Sequence, residues 1–100
     1  MDGANNHRAH AREETKLNAR LSCGGAEYHC AVEDISPGGA KVKSSAQIDT
    51  GEHVDLDLTP FGVVAAHTVW ARKGHLGLKF DADPMETTEI VMAIAMQGAG

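Results

Sequence analysis

Between Lys16 and Phe80 the apolar residues recur at every second position over much of the chain, and after Asp83 they recur at every third or fourth. That change of period constrains the fold more than any other feature of the sequence. A period of two belongs to a pleated strand with one buried face, and a period near 3.6 belongs to a helix. Leu17, Ala19, Leu21 and Cys23 alternate with Asn18, Arg20 and Ser22, and His53 to Leu58 alternates strictly. Glu27 to Glu33, Gly39 to Lys43, Val63 to Arg72 and His75 to Phe80 carry further strand character. Turn formers separate these runs: Gly24-Gly25, Pro37-Gly38-Gly39, the stretch from Ala46 to Gly51, Thr59-Pro60-Phe61-Gly62 and Lys73-Gly74. Short strands at close spacing with turns between them predict an antiparallel sheet rolled into a barrel.

The helical period begins at Asp83-Pro84. Asp83 is placed to cap a helix, with Pro84 at the first helical position and Glu86 three residues on, as in a capping box. Met85, Ile90, Ile94 and Met96, with Val91, Ala93 and Ala95, form an apolar side at helical spacing, and core packing is the expected use of the methionines. Such a helix would cover an open end or edge of the barrel. One hundred residues suggest one domain. The expected division is an N-terminal arm over residues 1–14, a barrel with its helix over 15–97 and a tail over 98–100. No run approaches the ~18 apolar residues of a membrane span. Met1 to Asn6 lacks the basic and apolar regions of a secretory signal, which predicts a cytoplasmic protein.

A net charge of −5 argues against a general binder of DNA or RNA, which needs basic surface. A single-stranded nucleic-acid barrel would also need several aromatic stacking platforms, and the chain has only Tyr28, Phe61, Trp70 and Phe80. The charge is uneven. Arg8, Arg12, Lys16 and Arg20 crowd the N-terminal part, while acid collects in the C-terminal half. A locally basic segment on an acidic protein suits a small anionic ligand. Cys23 and Cys30 are expected as reduced, buried thiols. They are too few, and His7 and His10 too poorly spaced, for a metal site. No nucleophile has a base in register and no carboxylate pair is set apart from the solvated acidic strands, so an enzyme is not expected.

Two short motifs carry chemistry. Arg8 and Arg12 are planar guanidiniums, able to grip a phosphate or the O6/N7 edge of guanine bidentately and to stack on a purine. Glu33-Asp34-Ile35-Ser36-Pro37-Gly38-Gly39-Ala40 brings a carboxylate, a hydroxyl and two glycines to a bend. Asp34 can accept the N1–H and N2–H₂ donors of guanine, Ser36 can serve a phosphate or a base, and Gly39 keeps the site open.

Arg8-Ala9-His10-Ala11-Arg12 fits the RxxxR motif of PilZ domains, and Asp34-Ile35-Ser36-Pro37-Gly38-Gly39 fits their DxSxxG motif, in the same order. Thr68-Val69-Trp70-Ala71-Arg72 and Gly77-Leu78-Lys79-Phe80 resemble the closing strands of that family. The resemblance spans roughly residues 7–97. It implies a mainly β fold, a six-stranded antiparallel barrel with a C-terminal α-helix. It also implies the bacterial second messenger cyclic di-GMP as ligand, held by Arg8, Arg12, Asp34, Ser36 and Gly39. His7 stands where many members have a further arginine that bears on whether one ligand or an intercalated pair binds; it is a further candidate contact. The resulting expectation is a receptor whose N-terminal arm orders on the ligand and signals to a downstream protein, in motility, exopolysaccharide production or a related output. The competing expectation is a nucleotide-independent interaction module on the same barrel.

Overall fold

A computed structural model describes residues 13–98. Six strands and one helix follow in order: β1 (Glu13–Cys23), β2 (Ala26–Ser36), β3 (Gly39–Lys43), β4 (His53–Asp57), β5 (Val63–Arg72), β6 (His75–Phe80) and α1 (Pro84–Gly98). Every pairing is antiparallel, and the strands close into a barrel in the order β1-β2-β3-β6-β5-β4. Closure comes from β1 against β4, with Leu21 opposite Leu56. The expected barrel and terminal helix are both present.

The alternation supplies the core. Leu21, Val32, Val42, Val54, Leu56 and Leu58 are completely buried, and their neighbours in sequence face outward, as the pleat requires. Two boundaries differ from the sequence reading. β1 starts at Glu13, so two residues expected in the arm already pair, Glu13 with Ile35 and Glu14 with Asp34. β2 runs on to Ser36, so Asp34 and Ser36 belong to a strand end and only Pro37-Gly38 form the turn. Cys30 is buried, whereas Cys23 is half-buried beside Glu52, and both thiols are free.

The helix starts as its sequence predicts: Met85 N–H donates to Asp83 Oδ1 at 2.9 Å. α1 packs against β1 and β2 and buries Thr87, Val91 and Ile94. The expected core role of Met85 and Met96 is overturned, since each is 75% exposed. They lie on the side of the helix turned away from the barrel, and Ile90, Val91 and Ile94 fill the inner side instead. α1 also includes Gly98, the first residue of the expected tail. Among the described residues no helix is long and apolar enough to cross a membrane.

Candidate ligand-binding face

Two β-bulges decide which side chains reach the outer surface. In β2, Cys30 and Val32 point inward, and strict alternation would send Asp34 and Ser36 in after them. The register slips between Val32 and Asp34. Ile35 is therefore the buried residue, at 1% exposure, and Asp34 and Ser36 turn outward. In β5, Val64, Ala66 and Thr68 point inward, and alternation would bury Trp70. A second slip, between Thr68 and Trp70, turns the indole out. A bulge adds one residue to one strand, which reverses the facing of all that follow.

The two corrections place complementary groups in one row. Asp34 of β2 lies opposite Lys41 of β3, Lys41 opposite Gly77 of β6, and Gly77 opposite Trp70 of β5. The next row holds Ser36, Gly39, Lys79 and His67. Asp34, Ser36, Gly39, Lys41, Val69 and Trp70 surround a shallow open recess. One wall of it is the indole, which lies across Gly77; a Cβ at that position would collide with Nε1, Cε2 and Cδ1 of the ring. Gly77 is thus the seat of Trp70. The indole and Lys41 also border a second recess, completed by Arg72, Lys73 and His75, and the Arg72 guanidinium stands 5.9 Å from the ring centroid.

The electrostatics of this face oppose those of the whole protein. The cations from residue 17 onward are Arg20, Lys41, Lys43, Arg72, Lys73 and Lys79. All but Arg20 belong to β3, β6, β5 or the turn joining the last two. Glu33, the bulged residue, adds an acid beside Asp34: its carboxylate sits 3.2 Å from His75 Nε2 and 3.9 Å from Lys41 Nζ. The face can therefore offer an acceptor carboxylate, a hydroxyl, ammonium groups and an aromatic plane to an anionic heteroaromatic molecule.

The turn between Asp34-Ser36 and β3 is held from three sides. Ser36 Oγ donates to the Gly39 carbonyl at 3.5 Å, Phe80 N–H donates to the Gly38 carbonyl at 2.9 Å, and Thr87 Oγ1 donates to the Pro37 carbonyl at 2.9 Å. Gly39 meets a demand of the chain itself. A Cβ there would collide with the backbone carbonyl of Leu78, so its small size is needed for β3 to approach β6, whatever it does for a ligand.

The PilZ domain model matches residues 6–95 of this sequence. The chain belongs to the PilZ domain family. Solved structures agree with its fold. The PilZ domain of CeSA from a cellulose-synthesizing bacterium superposes with a TM-score of 0.67 at 19% identity, covering 83% of this chain and 93% of that one. The PlzA protein of Borreliella burgdorferi, solved in complex with c-di-GMP, gives 0.63 at 24% identity over 87% of this chain and 42% of that one. An uncharacterized Legionella protein gives 0.57 at 17% identity, over 86% and 91%. No curated protein matches the sequence.

Of the residues singled out from the PilZ motifs, Asp34, Ser36 and Gly39 come together at the recess. His7, Arg8 and Arg12 lie outside the described residues. The segment that carries them leads into Glu13 and Glu14, which pair beside Asp34. Sequence reasoning did not assign Lys41, Trp70 or Gly77 to the site. A lone tryptophan is the one signal it offered, and the Trp70–Gly77 contact spans two strands.

Proposed function

We propose that this PilZ domain is a cyclic di-GMP receptor without enzymatic activity. What carries the reading is the outward turn of Asp34 and Ser36, by the β2 bulge, onto a recess that Trp70 walls and that adjoins the entry of the arginine-bearing segment. Asp34 accepts the N1–H and N2–H₂ edge of one guanine, and Ser36 bonds a phosphate or a base. The Trp70 indole stacks on a purine face, an interaction worth about 1–3 kcal/mol per base. Arg8 and Arg12 grip phosphate and guanine from the other side, His7 being a further contact. Arranging that segment costs roughly 1–2 kcal/mol per residue fixed. Charge-assisted hydrogen bonds of about 1.5–3 kcal/mol each offset it. The clamped segment forms a new surface on the barrel, which a downstream protein reads, in motility, exopolysaccharide production or a related output of a bacterial cytoplasm.

Titration calorimetry with cyclic di-GMP, with GMP as control, tests this directly. Binding of the dinucleotide, lost in Arg8→Ala and in Arg12→Ala while circular dichroism keeps its barrel signature, is the expected result. Equal affinity in both variants would remove the arginines from the mechanism. No binding by the wild-type chain would leave the nucleotide-independent interaction module.

A further inference from the structure

Six large apolar side chains stand exposed on the described surface: Val63, Val69, Trp70, Met85, Met92 and Met96. Val69 and Trp70 line the recess. Three of the remaining four are the methionines of α1, exposed by 75, 58 and 75%. At about 100° per residue, Met92 and Met96 return to within about 20° of Met85 around the helix axis. Ile94 and Thr87, which face the core, fall near 180° and 200° on the same scale. The methionines thus form a straight line about 16 Å long on the side opposite the buried one. A helix apolar on two opposite sides belongs between two packed layers, and the barrel supplies only one of them.

We propose that this methionine line is a docking face for a basic amphipathic helix of a partner protein. Methionine is flexible and polarizable, which suits a contact surface that adapts to another side chain. Three helical turns accept the apolar stripe of a second helix. Charge selects among occupants. Glu89 lies about 40° from Met85 and Glu86 about 100°, and α1 contains no lysine, arginine or histidine. A second copy of the chain would set acidic helix against acidic helix, and like charges in contact disfavour that pair. An anionic bilayer meets the same repulsion. A helix with a leucine-type stripe flanked by lysines meets neither. The face lies on α1, not on the recess, and stands independently of the nucleotide reading.

The test uses the full chain without nucleotide and a labelled 21-residue peptide with Leu at heptad positions a and d and Lys at e and g. Fluorescence anisotropy should show saturable binding. The same peptide with Glu at e and g, and a scrambled Lys peptide without the Leu stripe, should bind at least about tenfold more weakly, a factor equal to 1.4 kcal/mol. The triple variant Met85→Gln/Met92→Gln/Met96→Gln keeps side-chain length and helix propensity, and it should lose at least about tenfold in affinity. Glu86→Lys/Glu89→Lys changes only exposed positions and should reverse the preference from the Lys to the Glu peptide. Equal binding of all three peptides, no binding of any, or an unaltered triple variant would overturn the proposal. So would a wild-type dimer that the triple variant dissolves in sedimentation, or methionine-dependent binding to phosphatidylserine vesicles.

Discussion

The Thr87 hydroxyl donates to the Pro37 carbonyl at 2.9 Å, joining the first turn of α1 to the turn of the DxSxxG motif across 50 residues of sequence. Thr87 is fully buried, and its hydroxyl also lies 3.1 Å from the Pro84 carbonyl, so the bond locks helix and turn together. Thr87→Val keeps the shape and removes the donor. It should cost about 1–2 kcal/mol in urea denaturation, because a buried acceptor loses its partner. Cyclic di-GMP affinity should fall with it, since Asp34 and Ser36 stand directly before the loosened turn. Thr87→Ser retains the donor and should keep the affinity.

The contact between Trp70 and Gly77 predicts a strong coupling. Gly77→Ala puts a methyl group where the indole lies, and overpacking of this kind costs about 1–3 kcal/mol. In a Trp70→Ala background the space is empty and the same change should cost little. The difference is the interaction term of a double-mutant cycle. Tryptophan fluorescence should shift in Gly77→Ala as the ring leaves its seat. Additive stabilities would mean that the two residues do not share this site.

Much of the barrel is legible in the sequence, because burial on one face of a strand leaves a period-two trace. Leu21, Val54 and Leu56 show it plainly, and Asp83-Pro84 marks the helix start. The bulges leave no such trace. Glu33 and Val69 become extra residues only relative to their partner strands, so nothing local distinguishes a strand that places Asp34 inside from one that places it outside. The start of β1 is hidden for a related reason: Glu13 to Lys16 is polar, and its pairing is specified by β2. The methionines of α1 misled because helical spacing records that residues share a side, not which side faces the core. The DxSxxG residues were legible as a group, but Trp70 and Lys41 come to them through pairings with β3 and β6 that no sequence spacing displays.

Cys30 gives a pH dependence. Burial pushes its thiol from the ordinary 9.0 up to about 11. Above the ordinary value the unfolded chain releases this proton and the folded chain retains it, so the folded state binds more protons and stability falls as pH rises. The loss attributable to Cys30 should begin near pH 9 and level off above pH 11, reaching about 2–3 kcal/mol. Cys30→Ala should be less stable at pH 7, through lost packing, but should show a flatter decline across that window in denaturant titrations. An identical slope in the two proteins would refute the assignment.

Gly39 separates the two roles of its motif. Its missing Cβ makes room for the Leu78 carbonyl, a backbone atom that cannot rotate aside. Gly39→Ala should therefore push β3 from β6 and cost about 3 kcal/mol or more, the range of changes that disrupt a packed backbone. Asp34→Ala removes an outward-facing carboxylate without forcing any backbone apart, and should cost less stability than Gly39→Ala. Both variants should lose cyclic di-GMP, but for different reasons that thermal melting distinguishes: Gly39→Ala should melt well below Asp34→Ala. If Gly39→Ala melted normally and still failed to bind, the glycine would serve the ligand and not the strand pairing.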